Sequence, residues 1–519
     1  MAEQGATDGE HTLVAQVDRL VGDTIARRQD GPLADGLERV RRRLREPLRV
    51  AIAGRVKAGK STLLNALVGE QLAPTDAGEC TRIVTWYQHG PTYRVTLDLT
   101  DGTSRPARFT RQSGSLDIDL DDLAAASIDR IVVEWPSKRL ADLTLIDTPG
   151  VASLDTAVSE RARAFLAPDD DRPVEADAVL YLMRHMHADD LSFLESFHDD
   201  ELTNASPINA LGLLSRADEI GVGRPNAMRV AERIAGRYRN DPRLRRLCQT
   251  VLPINGLVAE TAATLTQEEF AALAQLAELD RGAVEKLLLS ADRFRTEDAT
   301  IGDRPCPVPA LVRTHLLDRL GLFGVRVALP LIRQGRTTSA LELAEALEGR
   351  SGIVDLRREL LDRFARRSDV LRARSALLAV SRLIGGASSE LRAELAPEIE
   401  RIRSGAHAFA EIRLLNDHRR GAVAFPGPNG DEVGAEIERL LGGDGTSPAA
   451  RLGLPVDAGA ADVRAGLLAA IDRWRRRGEH PLASPEVAAA AAVLVRTCEG
   501  ALAGAGRVEA PTEGELAER

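Results

Sequence analysis

The run Gly54-Arg55-Val56-Lys57-Ala58-Gly59-Lys60-Ser61-Thr62 sets two glycines, a lysine and a hydroxyl at the spacing of a phosphate-binding loop. The glycines let the backbone wrap so that its N–H groups converge on phosphate oxygens, and a following helix adds its dipole. Lys60 is placed to reach the β- and γ-phosphates, and the Ser61 hydroxyl suits Mg²⁺. Further along, Asp147-Thr148-Pro149-Gly150 offers a carboxylate for the metal's water shell and a Gly150 N–H for the γ-phosphate. Between them, Leu72–Thr85 is expected to supply a metal-binding threonine, with Thr81 the first choice and Thr75 the alternative. Ser215-Arg216-Ala217-Asp218 is a degenerate form of the Asn/Thr-Lys-x-Asp pattern that reads guanine. There the Asp218 carboxylate would accept from the ring N–H and the exocyclic amine, and the Arg216 stem would cover the base face. Ile254-Asn255-Gly256 falls where backbone contacts to the base are expected.

These groups need strands and helices at fixed places. The apolar run Leu48–Ala53 feeds the glycine loop, and a helix over Ser61–Val68 leaves it. Leu143–Ile146 ends at Asp147, and Ala210–Leu214 ends at Ser215. With Ile83–Gln88, Tyr93–Leu99, Ile131–Trp135, Ala178–Met183 and Thr250–Ile254, the strands alternate with helices as in an α/β, mostly parallel sheet. Tyr93–Leu99, followed by Asp101-Gly102, reads as the start of a hairpin. Glu268–Phe294 reads as a helical insertion before a closing helix, Val312–Gln334. Beyond Gly335 only helical patterns remain, including the stripe Ile353, Leu356, Leu360 and Phe364. The division is a tail with N-terminal helices at 1–47, a nucleotide domain at 48–335, an elongated, stalk-like helical region at 336–420 and a C-terminal helical region at 421–519.

A chain of 519 residues is too long for one core. Aromatics make up only 3%, so the cores rest on Leu, Ala, Val and Ile. The net charge of −10 argues against a nucleic-acid coat, and no nucleic-acid partner is expected. Cys80, Cys248, Cys306 and Cys498 lie far apart, without a zinc or disulfide pattern. The polar start Met1–Glu10 carries no secretory signal, and no apolar stretch reaches spanning length, so a cytoplasmic protein is expected. His185, His187, Asp189 and Asp190 read as a polar loop beside the nucleotide rather than a metal site. Seven arginines between Arg357 and Arg374 make a basic face suited to anionic lipid headgroups or, more simply, to an interdomain contact.

The chain resembles the bacterial dynamin-like GTPases, and among them the actinobacterial group of isoniazid-inducible proteins. The resemblance rests on Gly54–Leu67 (GRVKAGKSTLLNAL), Leu72–Arg82 (LAPTDAGECTR), Asp147–Gly150 and Leu214–Glu219 (LSRADE). It implies GTP hydrolysis with Mg²⁺, self-association through the GTPase domain, a membrane surface at the cytoplasmic face and a second related protein as partner. Three positions depart from related GTPases. Val151 stands where small GTPases carry a water-orienting Gln, and Val56-Lys57 replaces the polar and cation-holding residues usual in dynamins. Lys57 is therefore a candidate internal finger whose ammonium takes the cation's place. The alternatives are a ribosome- or RNA-associated GTPase and a nucleotide-dependent scaffold with negligible turnover.

Overall fold

The structure, a computed structural model, describes residues 12–27, 31–73, 83–112, 115–120, 123–149, 176–197, 209–296, 300–301, 304–419, 421–423, 430–455 and 457–508. Helices α1 (Leu13–Arg27) and α2 (Pro32–Arg43) precede strand β1 (Leu48–Gly54), and α3 (Lys60–Val68) follows it. The main sheet continues with β2 (Val84–His89), β3 (Arg94–Leu99) and β4 (Ser104–Pro106). A small hairpin, β5 (Phe109–Gln112) and β6 (Ser115–Ile118), stands outside it. The sheet is completed by β7 (Ile128–Trp135), β8 (Leu143–Asp147), β9 (Ala178–Met183), β10 (Ala210–Leu214) and β11 (Val251–Pro253).

The nine strands run in the order β11-β10-β9-β1-β8-β2-β7-β3-β4. Strands β11 through β8 are mutually parallel, β2 is antiparallel to β8, and β2 and β7 are parallel again. Sequence explains which strands are central. LRVAIAG, AVLYLM and ALGLL are nearly unbroken apolar runs, and β1, β9 and β10 are buried along almost their whole length. Strands β3 and β7 alternate buried and more open residues. All eight expected strands are present, with β7 starting earlier, at Ile128.

The helices that follow include α4 (Ala188–Phe197), α5 (Ala227–Arg239), α6 (Gly256–Thr264), α7 (Gln267–Glu278), α8 (Ala310–Arg333) and α9 (Ala340–Ser351). Then come α10 (Ile353–Glu359), α11 (Ser368–Gly385), α12 (Ser389–Gly405), α13 (His407–Arg419), α14 (Gly430–Leu440), α15 (Ala460–Gly478) and α16 (Pro485–Val508). The closing helix expected over Val312–Gln334 is in fact two helices, because Gly321 (φ 62°, ψ 176°) breaks α8. Beyond Gly335 the described residues contain no strand.

One core joins a face of the sheet to α1, α2 and α11, and α5 covers the other face. A third core lies among α6–α9, and a fourth, around Trp474, joins α13–α16. Helices α1 and α2 pack on α11. Gly36 permits this approach: a Cβ there would lie 2.8 Å from the Leu383 side chain. Arg372 donates to the carbonyls of Leu44 (3.2 Å) and Glu46 (3.1 Å), fixing the entry to β1. Among the described residues, no helix is long and apolar enough to cross a membrane.

Candidate nucleotide site

Strand β1 lies between parallel β8 and β9, so three strand ends converge on the glycine loop. Gly54 has φ 147°, and a Cβ there would lie 2.5 Å from the Leu182 carbonyl, so only glycine lets the chain turn here. Gly59 has φ 93°, and its Cβ direction is open for 4 Å, which leaves the start of α3 clear for an anion. Lys57 holds φ 62°, rare for a side-chain-bearing residue, and both it and Val56 are exposed. Lys60 Nζ donates to the Gly54 and Arg55 carbonyls, both at 3.3 Å. Burial lowers the Lys60 pKa, and the Asp147 charge opposes that shift.

The Ser61 hydroxyl donates to Asp147 Oδ2 at 2.9 Å. Burial pushes the Asp147 carboxyl up, against Lys60 and Ser61, and its buried Oδ1 has no hydrogen-bond partner among the described residues. The Thr148 hydroxyl donates to the Ile52 carbonyl at 2.9 Å and locks this turn to β1. A hydroxyl and a carboxylate held together, with one buried oxygen unsatisfied, fit a hard divalent cation such as Mg²⁺, which takes its remaining ligands from water and phosphate. Thr81, Thr75 and Gly150 lie outside the described residues.

The described residues hold no cluster of three or more His, Cys, Asp or Glu suited to a metal ion. Asp190 is used internally, accepting from the Tyr181 hydroxyl (2.6 Å) and the His187 N–H (3.0 Å). His185 and His187 do border the loop. With Arg55, Val56, Met183 and Arg184 they line a cleft of about 440 Å³.

On the other side, Gly59, Thr62, Ser215, Arg216, Asp218 and Gly256 line a smaller cleft of about 160 Å³. Burial raises the Asp218 pKa, partly opposed by a hydrogen bond from its own backbone N–H. A buried carboxylate in this position matches a ligand edge carrying paired N–H groups. Arg216 sits at φ 51°, and its guanidinium bonds Glu219 at 2.6 Å, as Arg184 also does. Ser215 Oγ is buried without a hydrogen-bond partner among the described residues. Asn255 stands behind the wall. Its Oδ1 accepts from the Val258 N–H (3.1 Å) as the cap of α6, and its own N–H donates to the Ser351 carbonyl (2.8 Å). Its neighbours Ile254 and Gly256 form the cleft surface instead.

Three contributors were not assigned to this site from sequence. Gly321 breaks α8 beside Asp218, whose Oδ2 would lie 3.7 Å from a Cβ there. Asn65, buried in α3, accepts from the Leu72 (2.9 Å) and Ala73 (2.7 Å) N–H groups and donates to Glu260 (2.9 Å), fixing the chain before residue 74. Arg357 donates to the Ala66 carbonyl at 2.9 Å and so ties α10 to the end of α3. Asn65 and Gly321 were visible as a polar residue inside GRVKAGKSTLLNAL and a glycine inside an apolar helix. Arg357 was marked only as one end of the basic stretch, and nothing local pointed to its partner in α3.

The sequence profile of the dynamin family matches residues 50–199. The isoniazid-induced protein IniC of Mycobacterium tuberculosis is 42% identical over 478 residues, covering 92% of this chain and 94% of that one. The isoniazid-induced protein IniA of the same organism is 32% identical over 185 residues, covering 32% of this chain and 26% of that one. A bacterial dynamin-like protein of Nostoc punctiforme is 34% identical over 115 residues, 20% of this chain and 16% of that one.

Proposed function

This chain belongs to the bacterial dynamin-like GTPases, and on that footing we propose that it couples Mg²⁺-dependent GTP hydrolysis to self-association and to membrane remodelling at the cytoplasmic face. The observation that carries the chemistry is the Ser61–Asp147 pair with its unsatisfied Oδ1. In this reading the N–H groups from Gly54 to Gly59, together with Lys60 and Thr62, hold the phosphates. Ser61, Asp147 and Thr81 hold Mg²⁺, which when bound neutralises charge on the β- and γ-phosphate oxygens. Ser215, Arg216 and Asp218 take the guanine, with backbone support on either side of Asn255. Gly150 meets the γ-phosphate. Lys57, exposed at the front of the loop, faces the developing charge, and the chain works beside a second dynamin-like protein.

Two measurements test this. Turnover per molecule is expected to rise with protein concentration, and a flat profile would remove the self-association step. Co-sedimentation with anionic liposomes is expected to depend on whether GTP, GDP or no nucleotide is present. Equal, negligible pelleting in all three would remove the membrane.

A further inference from the structure

A cavity of about 320 Å³, sharing no lining residue with the clefts at the glycine loop, lies among the approach to α11, helix α13 and the segment after α14. Its walls include Arg367, Ala408, Glu411, Ile412, Thr446 and Arg451. Among the described residues the charges around it do not pair off one to one. Arg451 pairs with Glu411 (3.0 Å), Arg419 with Glu438 (2.6 Å) and Arg363 with Glu359. Glu438 is shared, since Arg245 also binds it at 2.7 Å. The described residues give Arg367 no carboxylate; its Nη2 donates to the Leu441 carbonyl at 2.8 Å.

Burial brings the Arg367 pKa down to about 10; Glu411 opposes the shift, while Arg451, Arg363 and Arg419 add to it. A guanidinium among other guanidiniums, without an anion of its own and bordering a void, is unfavourable unless the void takes an anion. Guanidinium geometry matches phosphate oxygens in a two-pronged fork. The volume admits a phosphate with a short substituent.

We propose that this cavity is a phosphate-binding site, with Arg367 as its main donor and Arg451 beside it, taking free phosphate or a phosphate ester such as a lipid headgroup. The site is placed to fasten two parts of the chain. Arg363 donates to Gln249 (3.2 Å) next to β11, and Arg245 reaches Glu438 of α14, so an anion here would secure the C-terminal helices against the GTPase domain.

The test is titration calorimetry on the full chain saturated with GDP and Mg²⁺, which fills the phosphate loop first. The probes are inorganic phosphate and glycerol 3-phosphate, with vesicles of phosphatidylglycerol or phosphatidylcholine as competitors. Saturable binding is expected, weakened by about tenfold or more in Arg367→Gln. Ala408→Phe, which fills the cavity without removing a charge, is expected to abolish binding and decides the matter should Arg367→Gln fail to fold. Competition by phosphatidylglycerol alone assigns the phosphate to a lipid headgroup. Indifference to both vesicles, with soluble phosphates bound, assigns it to a free ester. No saturable binding of phosphate, ester or headgroup overturns the proposal, as does binding that survives both substitutions. Neither result bears on GTP hydrolysis, because the GDP-filled loop is common to every arm.

Discussion

Ser61 and Asp147 hold each other across the glycine loop, and in the proposed function the same hydroxyl also ligates Mg²⁺. In Ser61→Ala the Asp147 carboxyl loses that donor while still buried, so the nucleotide-free protein is expected to lose about 1–3 kcal/mol of stability. The gain in GDP affinity on adding Mg²⁺ is expected to vanish. Calorimetric titration of GDP with and without Mg²⁺ checks this, and an unchanged gain would place the metal elsewhere. Lys57 poses a separate question, because its side chain is exposed and the backbone beneath it holds φ 62°. If its ammonium faces the developing phosphate charge, Lys57→Ala lowers turnover on the order of 10²-fold. Turnover that stays unchanged and indifferent to potassium against sodium would sink that role. At this scale the phosphate loop was legible because its signal is local: glycines, lysine and hydroxyl act within nine residues. The Asn255 side chain was less so. Asparagine just before a helix is also an N-cap, and capping is the task its side chain performs.

Helices α9 and α10 meet at Gly352, with φ 85° and a Cβ direction that runs 2.4 Å from the Pro253 carbonyl at the end of β11. Gly352→Ala must therefore bear both backbone strain and a backbone collision. A loss of about 1–3 kcal/mol is expected, together with weaker GDP binding, because the neighbouring Ser351 carbonyl holds the Asn255 N–H. Denaturation with and without GDP reads both; equal stability would show that the joint yields freely. Helix α13 carries a pH response. Burial lowers the pKa of His407 and of His418 below the ordinary 6.5. Between those lowered values and 6.5 the unfolded chain binds protons that the folded chain refuses. The stability they contribute is thus complete above 6.5 and lost as pH falls. Asp147, Asp218 and Glu260, raised by burial, act in the opposite sense, so the His418→Asn variant isolates the histidine part. Its melting temperature is expected to fall less than that of the unaltered chain between about pH 7.5 and about pH 5.5; parallel curves would refute this. Among elements, the buried strands were legible as apolar runs with fixed flanks. Strand β4 was legible only as the partner that the Asp101-Gly102 turn returns onto β3, and the β5–β6 hairpin was not legible. SRP, FTRQ and SLDI are short and largely polar, and pairing rather than pattern makes them strands.

The whole molecule is organised by arginines that reach between distant parts of the chain. The basic stretch from Arg357 to Arg374 suited lipid headgroups by composition, yet Arg363 and Arg374 are buried and Arg357 is spent on Glu348 and the Ala66 carbonyl. It is largely an internal contact, and sequence could not decide that, because the partners lie far away along the chain. The same holds where α14 returns to the GTPase domain. There Glu438 serves both Arg419, whose side chain is 4% exposed, and Arg245 in the segment before β11. Removing one member of such a pair leaves a buried charge unmatched, at a cost of about 3–5 kcal/mol. Because α13–α16 have a core of their own, the loss in Glu438→Gln is not expected to unfold the chain as a unit. Scanning calorimetry is expected to show an early transition for these helices that GDP leaves in place, and a later one that GDP shifts upward. Arg245→Ala, which removes the more exposed partner and leaves Arg419 matched, is expected to fall between this variant and the unaltered chain. If Glu438→Gln instead melts in one GDP-sensitive step at the unaltered temperature, the buried pair does not join the two parts, and their contact depends on the apolar neighbours and on Arg363.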